Sequence, residues 1–146
     1  MAESTKTNEC LFCRIIKKEL PSTILYEDST VIAILDAFPA TPGHALVLPK
    51  EHIDNIYTMP PEIGASVMKT AINLAKAMKK QLKPAGLNLV QSNEKLAGQV
   101  IFHFHLHVIP RYENDSVVFK FGHGTETTGE NELGKIAAKI KAGMPK

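Results

Sequence analysis

Several features are missing or scarce in this chain, and each removes a class of function. No apolar run is long enough to span a bilayer, so no membrane association is expected. The segment MAESTKTNEC carries no apolar h-region, so no secretory signal is expected and a cytoplasmic location follows as the default. Neither sign of charge dominates: the net charge is +2 and the lysines are dispersed. A nucleic-acid groove needs a dense basic face to displace counterions, so no nucleic-acid partner is expected. Tryptophan is absent, and cysteine is limited to Cys10 and Cys13. A structural disulfide is not expected in a reducing compartment. The C-x-x-C spacing then leaves a redox pair, half of a metal site or two idle thiols. What remains, 44% hydrophobic and 22% charged over 146 residues, has the balance of one globular domain that folds without staples.

The chain shows no internal repeat and no low-complexity segment. Leu11, Phe12, Ile15 and Ile16 have helical spacing, and Pro21 is expected to end that short helix. Two β-rich runs follow, Thr23–Tyr26 and Val31–Leu35, with turn chemistry in Glu27-Asp28-Ser29-Thr30 between them, which predicts a hairpin. Pro39, Pro42 and Gly43 predict a loop before a third strand over Ala45–Leu48. Pro60, Pro61 and Glu62 are helix-start residues. Ile63, Val67, Ala71, Leu74, Met78 and Leu82 then recur every three or four residues, the strongest helical signal in the chain. Leu87–Gln91 and Phe102–Ile109 are predicted strands. Glu132–Ala142 is a predicted terminal helix with Leu133, Ile136 and Ile140 on one face. Five strands with few crossover helices predict an α+β fold on a mainly antiparallel sheet.

Histidine is used unevenly. Three of six lie in His103-Phe104-His105-Leu106-His107. On a strand these imidazoles share one face, about 6–7 Å apart, and Phe102, Phe104, Leu106 and Val108 share the other, the expected core face. Crowded imidazoles suppress each other's protonation, so the row is expected to be partly neutral at pH 7. Neutral imidazoles suit a metal centre. They equally suit covalent catalysis at phosphorus, where one attacks while its neighbours orient it and stabilise charge. The row alone does not choose between these. No carboxylate near it is expected to complete a catalytic metal set. His123, in a Gly-flanked loop, is expected to be exposed and idle.

The run HFHLHVIP resembles the H-φ-H-φ-H-φ-φ signature of the histidine triad (HIT) superfamily. The block LDAFPATPGHALVLPKEHI is similar to the segment these proteins place upstream, and NLVQSNEKLAGQV to the loop before the triad. The third triad position is His, unlike the Gln of the nucleotidylyltransferase branch, and the pattern is nearest the Hint-like and bacterial Hit-like branches. The polar residues 1–9 are expected to be a flexible N-terminus; the resemblance covers 10–112, a HIT domain, and leaves 113–146 as a C-terminal extension that matches no family pattern. It also implies a sheet continued across a homodimer. By position, His105 resembles the nucleophile, and His107 and His44 resemble the groups that hold its tautomer and shuttle a proton. Asp36 falls at the ribose position, where a carboxylate accepts hydrogen bonds from both hydroxyls. Leu11, Phe12, Ile15 and Ile34 resemble the walls of a purine slot. Asn93, Gly98 and Gln99 resemble phosphate and leaving-group contacts, while Val100 stands where many relatives have Ser or Thr. Cys10, Cys13, His52 and His103 resemble the ligands of a structural zinc found in some bacterial members, a tetrahedral Cys2His2 set.

The implied activity is hydrolysis or nucleotidyl transfer at the α-phosphorus of a purine nucleotide conjugate, of the nucleoside phosphoramidate type, with no metal in the chemical step. Hydrolysis of dinucleoside polyphosphates is an alternative, separated by comparing turnover of the two substrates. A metal-dependent hydrolase would lose activity on chelation. A nucleotide-binding interaction module would keep binding, and show no other effect, when His105 is lost.

Overall fold

The computed structural model describes residues 10–121 and 128–146. The expected N-terminal segment 1–9 and His123 lie outside the described residues. The first element, α1 (Leu11–Ile16), is a short helix capped by Cys10, whose Sγ accepts from the Cys13 backbone N–H at 3.4 Å. It stops at Lys17, well before Pro21, because Lys18 turns into a positive φ of 64°. A hairpin follows, β1 (Ile24–Glu27) with β2 (Val31–Leu35), and Asp28 Oδ1 accepts from the Thr30 and Val31 N–H groups in the turn. Then come β3 (Ala45–Pro49), the long helix α2 (Pro61–Gln81), β4 (Gly86–Val90), β5 (Leu106–Arg111) and α3 (Glu130–Gly143). The five strands form one sheet in the order β1-β2-β3-β5-β4, and every neighbouring pair is antiparallel. The α+β expectation holds.

The sheet is covered on both faces, which explains why β2 reads as the unbroken apolar run VIAIL. Val31 and Ala33 turn toward α2, packing with Val67, Ala71 and Met78. Ile32 and Ile34 turn the other way, toward Phe12 and Ile15 of α1. β3 alternates likewise, with Ala45 and Val47 on the α2 side and Leu46 and Leu48 on the α1 side. Gly43 leads into β3 at φ +91°, a region that L side chains rarely adopt, and a Cβ there would stand 2.5 Å from Leu82 Cδ1. That turn delivers His44 to the head of β3.

One predicted strand is corrected. Phe102–Ile109 was the expected span, but β5 begins at Leu106 because its pairing with β3 runs only from Ala45↔Val108 to Val47↔Leu106. Residues 102–105 lie outside the strand. The alternation of faces persists without the ladder: Phe104, Leu106 and Val108 enter the α2-side core. Phe102, expected in that core, is 39% exposed. Past β5, Arg111 grips Asp115 through two hydrogen bonds of 2.8 and 2.7 Å and lies over the Phe119 ring, tying the start of the C-terminal extension to the sheet. The terminal helix forms as predicted, two residues longer at its start, with Leu133, Ile136 and Ile140 exposed.

Candidate active site and metal centre

The three triad histidines lie on the α1 side, where the α1 helix meets the upper end of the sheet, and divide between two clusters. His103 is fully buried and belongs to the first. Its Nε2 is 2.8 Å from the Pro49 carbonyl oxygen, an atom that only accepts, so Nε2 carries the proton and Nδ1 the lone pair. Nδ1 lies 3.5 Å from both Cys10 Sγ and Cys13 Sγ. His52 does the same from another direction: its Nε2 is held by Asp54 Oδ1 at 2.8 Å, and its Nδ1 is 3.2 Å from Cys13 Sγ. The four donor atoms lie within 4.8 Å of one another. A tetrahedral zinc with Zn–S of about 2.3 Å and Zn–N of about 2.0–2.1 Å has edges of roughly 3.3–3.8 Å, so these spacings fit it. Both imidazoles also have the outer partners that metal-bound histidines use. Burial, with the Cys10 thiol beside it, pushes the Cys13 thiol up to about 12. The Cys13 thiol therefore keeps its proton until a cation displaces it.

His105 and His107 belong to the second cluster. His105 Nδ1 is 2.7 Å from the His103 carbonyl oxygen. Nδ1–H therefore donates there, and the lone pair sits on Nε2. This backbone carbonyl holds the tautomer of His105. The His105 ring packs edge-on against Phe12 and against His107, with centroids 5.0 Å apart in each case. A second chain of hydrogen bonds fixes the other two rings. The Ala40 backbone N–H donates to His44 Nδ1 at 2.9 Å, which leaves the proton of His44 on Nε2. His44 Nε2 is 2.8 Å from His107 Nδ1, so it donates there, and His107 carries its own proton on Nε2. Burial lowers the pKa of His44 and His105 from the ordinary value of 6.5, and pushes His103 and His107 down to about 4. The expected neutrality holds, but desolvation is its main cause and repulsion between imidazoles the smaller one.

His105 and His107 border a cavity of about 940 Å³ whose apolar wall includes Leu11, Phe12, Ile15 and Ile34. Asp36 and Gly98 stand on its rim, as does Val100, which is 85% exposed. Gly98 has φ +95°, so glycine is needed there for its backbone and not for space. Asp36 Oδ1 accepts from the Phe38 N–H, closing a turn, and Oδ2 lies 3.6 Å from His44 Nε2. That proximity corrects one expectation: Asp36, His44 and His107 do bring a carboxylate beside the imidazoles. Their lone pairs are not all free, however, since His44 Nδ1 is taken by Ala40 and His44 Nε2–H is donated to His107. Two other expected contacts point elsewhere. Asn93 bonds the Ile56 backbone N–H and the Gln91 side chain. Gln99 is buried, and its amide bonds the Glu94 N–H and the Asp54 and Ile101 carbonyls. Neither side chain lines the cavity. Phe38, Pro39, Leu46 and Ile101 do line it and were missed. Phe38, Pro39 and Leu46 fall within the matched block LDAFPATPGHALVLPKEHI, and Ile101 gives no sequence signal apart from apolarity.

Adjacent neutral imidazoles at the mouth of an apolar cavity define the histidine triad class, and this chain adds a thiol–imidazole cluster behind them. The HIT domain profile matches residues 17–114, and the chain belongs to that family. Protein hit of Bacillus subtilis is 43% identical over 103 residues, covering 70% of this chain and 71% of that protein. Adenosine 5'-monophosphoramidase HNT1 of Saccharomyces cerevisiae is 37% identical over 141 residues, covering 97% of this chain and 86% of that protein. Among solved structures, a HIT family member from Bacillus subtilis superposes with a TM-score of 0.90 at 34% identity, covering 94% of this chain and 99% of that one. A Zn-bound histidine triad family protein from Mycobacterium smegmatis superposes with a TM-score of 0.73 at 33% identity, over the same shares of each chain.

Proposed function

We propose that this protein hydrolyses or transfers the nucleotidyl group of purine nucleotide conjugates, of the nucleoside phosphoramidate type, through a covalent intermediate on His105. The observation that carries the reading is the tautomer of His105. Its Nδ1–H is spent on the His103 carbonyl, so a neutral Nε2 lone pair is presented at the cavity. In the first step Nε2 attacks the α-phosphorus and the P–N bond breaks. The departing amine takes a proton from solvent at the open side of the cavity, guided by the hydrogen bond that His107 Nε2–H donates to the leaving nitrogen, while His44 Nε2–H on His107 Nδ1 holds that ring in this tautomer. The phosphorylated ring becomes cationic, and the His103 carbonyl stabilises it through Nδ1–H. Water then displaces His105 from phosphorus, gives its proton to solvent and releases the nucleotide. Two displacements replace one harder step. The apolar wall of Leu11, Phe12, Ile15 and Ile34 suits a purine, and Asp36 Oδ2 suits the ribose hydroxyls.

The similarity to a yeast adenosine 5'-monophosphoramidase supports the substrate class. A zinc held by Cys10, Cys13, His52 and His103 belongs to the same reading, with a structural role outside the chemical steps. So does a homodimer joined along β4, which lies at an edge of the sheet; light scattering should give twice the chain mass, and a monomer alone would remove the dimer. The central test is turnover of adenosine 5′-phosphoramidate, with mass spectrometry of protein quenched during the reaction. An adenylyl adduct on His105 is expected. Turnover by His105→Asn near the wild-type rate would end the covalent mechanism.

A further inference from the structure

The nucleophile is not carried by the sheet. β5 starts at Leu106, and its pairing with β3 ends at Val47↔Leu106, so His103 and His105 sit on an approach segment, residues 99–105, upstream of the ladder. Besides the two hydrogen bonds between Gln99 and Glu94, three tie this segment to the end of β3 and the loop after it. The Phe104 N–H donates to the Ile53 carbonyl at 2.6 Å, and His103 Nε2–H to the Pro49 carbonyl at 2.8 Å. The Gln99 amide donates to the Asp54 carbonyl at 2.7 Å. All three acceptors lie in residues 49–54, the stretch that carries His52 and its partner Asp54. The His103 ring and the His52 ring meet at the thiols of Cys10 and Cys13, with centroids 5.0 Å apart. Between those cysteines lies Phe12, whose ring touches both His103 and His105, with centroids at 5.9 and 5.0 Å.

We infer that the Cys10/Cys13/His52/His103 centre is a positioning device for the nucleophile, with His103 and Gln99 as positioning residues that hang the His105 segment from the metal-ligand loop. This rests on His105 being the nucleophile. His103 joins the two sites by itself: its Nδ1 faces the thiols, while its backbone carbonyl fixes the proton of His105. If the metal orients the His103 ring, it also sets where that carbonyl points. Loss of the metal frees the carbonyl, and His105 then samples the tautomer with its proton on Nε2, which has no lone pair to offer phosphorus. A mere staple would change stability and leave the tautomer alone.

The test reads the tautomer directly, from the ring-nitrogen shifts of His105 in protein labelled with 15N-histidine. The variant Asp54→Asn weakens the hold on His52 without touching the nucleotide cavity, and loss of such an outer partner costs about 10–100-fold in metal affinity. Zinc chloride titrated into metal-free Asp54→Asn protein should move the His105 nitrogens from averaged positions to a single Nδ1–H form, in step with zinc occupancy. Identical His105 spectra in metal-free and zinc-loaded protein, with core methyl spectra showing both folded, would overturn the inference. Gln99→Met serves where metal-free protein fails to fold. It should keep one zinc per chain, lower kcat about tenfold and broaden the His105 tautomer signal, whereas an unchanged tautomer and kcat would overturn the inference. The two readings fail separately. Zinc-coupled tautomers without turnover of adenosine 5′-phosphoramidate would remove the proposed function alone, and turnover with uncoupled tautomers would remove the positioning role alone.

Discussion

His103 and His105 are two residues apart, and both are held by a backbone carbonyl, yet they leave opposite nitrogens free. At His103 the Pro49 carbonyl takes Nε2–H and leaves Nδ1 facing two thiols. At His105 the His103 carbonyl takes Nδ1–H and leaves Nε2 at the cavity. The first site is closed: His103 is fully buried and its lone pair converges with three other donors. The second is open on one side and is backed by the His44–His107 hydrogen bond. Identical side chains are thus set up for the two proposed roles, ligand and nucleophile, according to which N–H the backbone carbonyl accepts from and which side is left dry.

The sharpest way to break this comparison is to replace each ring in turn. His105→Asn should reduce kcat by roughly 10⁴–10⁶-fold, the scale on which removing a nucleophile acts, while calorimetry shows AMP binding retained. Comparable losses of stability and turnover at both positions would mean the two sites are one structural unit. The next effect belongs to the thiol side. Cys10→Ser with Cys13→Ser, or chelation, should lower the melting temperature by about 10 °C, since each kcal/mol moves a domain of this size by about 2–4 °C. Full thermal stability of the double variant, or no zinc by metal analysis, would remove the metal.

Acid should separate the sites by a smaller margin. His44 and His105 are shifted below 6.5 by burial, and His107 down to about 4. The folded protein therefore keeps these rings neutral through the ordinary histidine range, and activity should persist below pH 6.5 and fall as pH approaches 4. Between those values the unfolded chain binds more protons than the folded one, so stability also declines as pH drops through that window. A kcat/KM profile with its midpoint at or above 6.5 would contradict this. The smallest effect concerns the rim. Asp36→Asn should weaken AMP about 10–100-fold, the scale of one charged hydrogen bond, and weaken the 2′,3′-dideoxy analogue much less. Equal losses would place Asp36 in the turn it closes with Phe38, and not at the ribose.

Much of the fold was legible in the sequence. The α2 helix follows from a 3.6-residue repeat, and its observed bounds, Pro61–Gln81, lie within two residues of that repeat. The Val31–Leu35 strand was read to the residue, and its unbroken apolar run makes sense with a helix on each face. The cluster of Cys10, Cys13, His52 and His103 came from the family resemblance. Asn93 and Gln99 were harder, because an amide in a matched loop looks the same whether it faces a phosphate or a neighbouring carbonyl.

The sequence by itself determined which side of residues 103–108 each side chain faces, because alternation is a local property of extended backbone. It also placed three imidazoles on one side, although their neutrality comes mainly from burial. Only the tertiary structure decided where the strand begins, since a ladder needs a partner and β3 pairs with β5 no further than Leu106. Tertiary structure likewise decided which nitrogen of His103 is left free. That choice rests on the carbonyl of Pro49, 54 residues from His103, and on the thiols of Cys10 and Cys13, more than 89 residues away. A ring nitrogen's proton follows the acceptor beside it, and no local pattern records an acceptor brought in from so far along the chain.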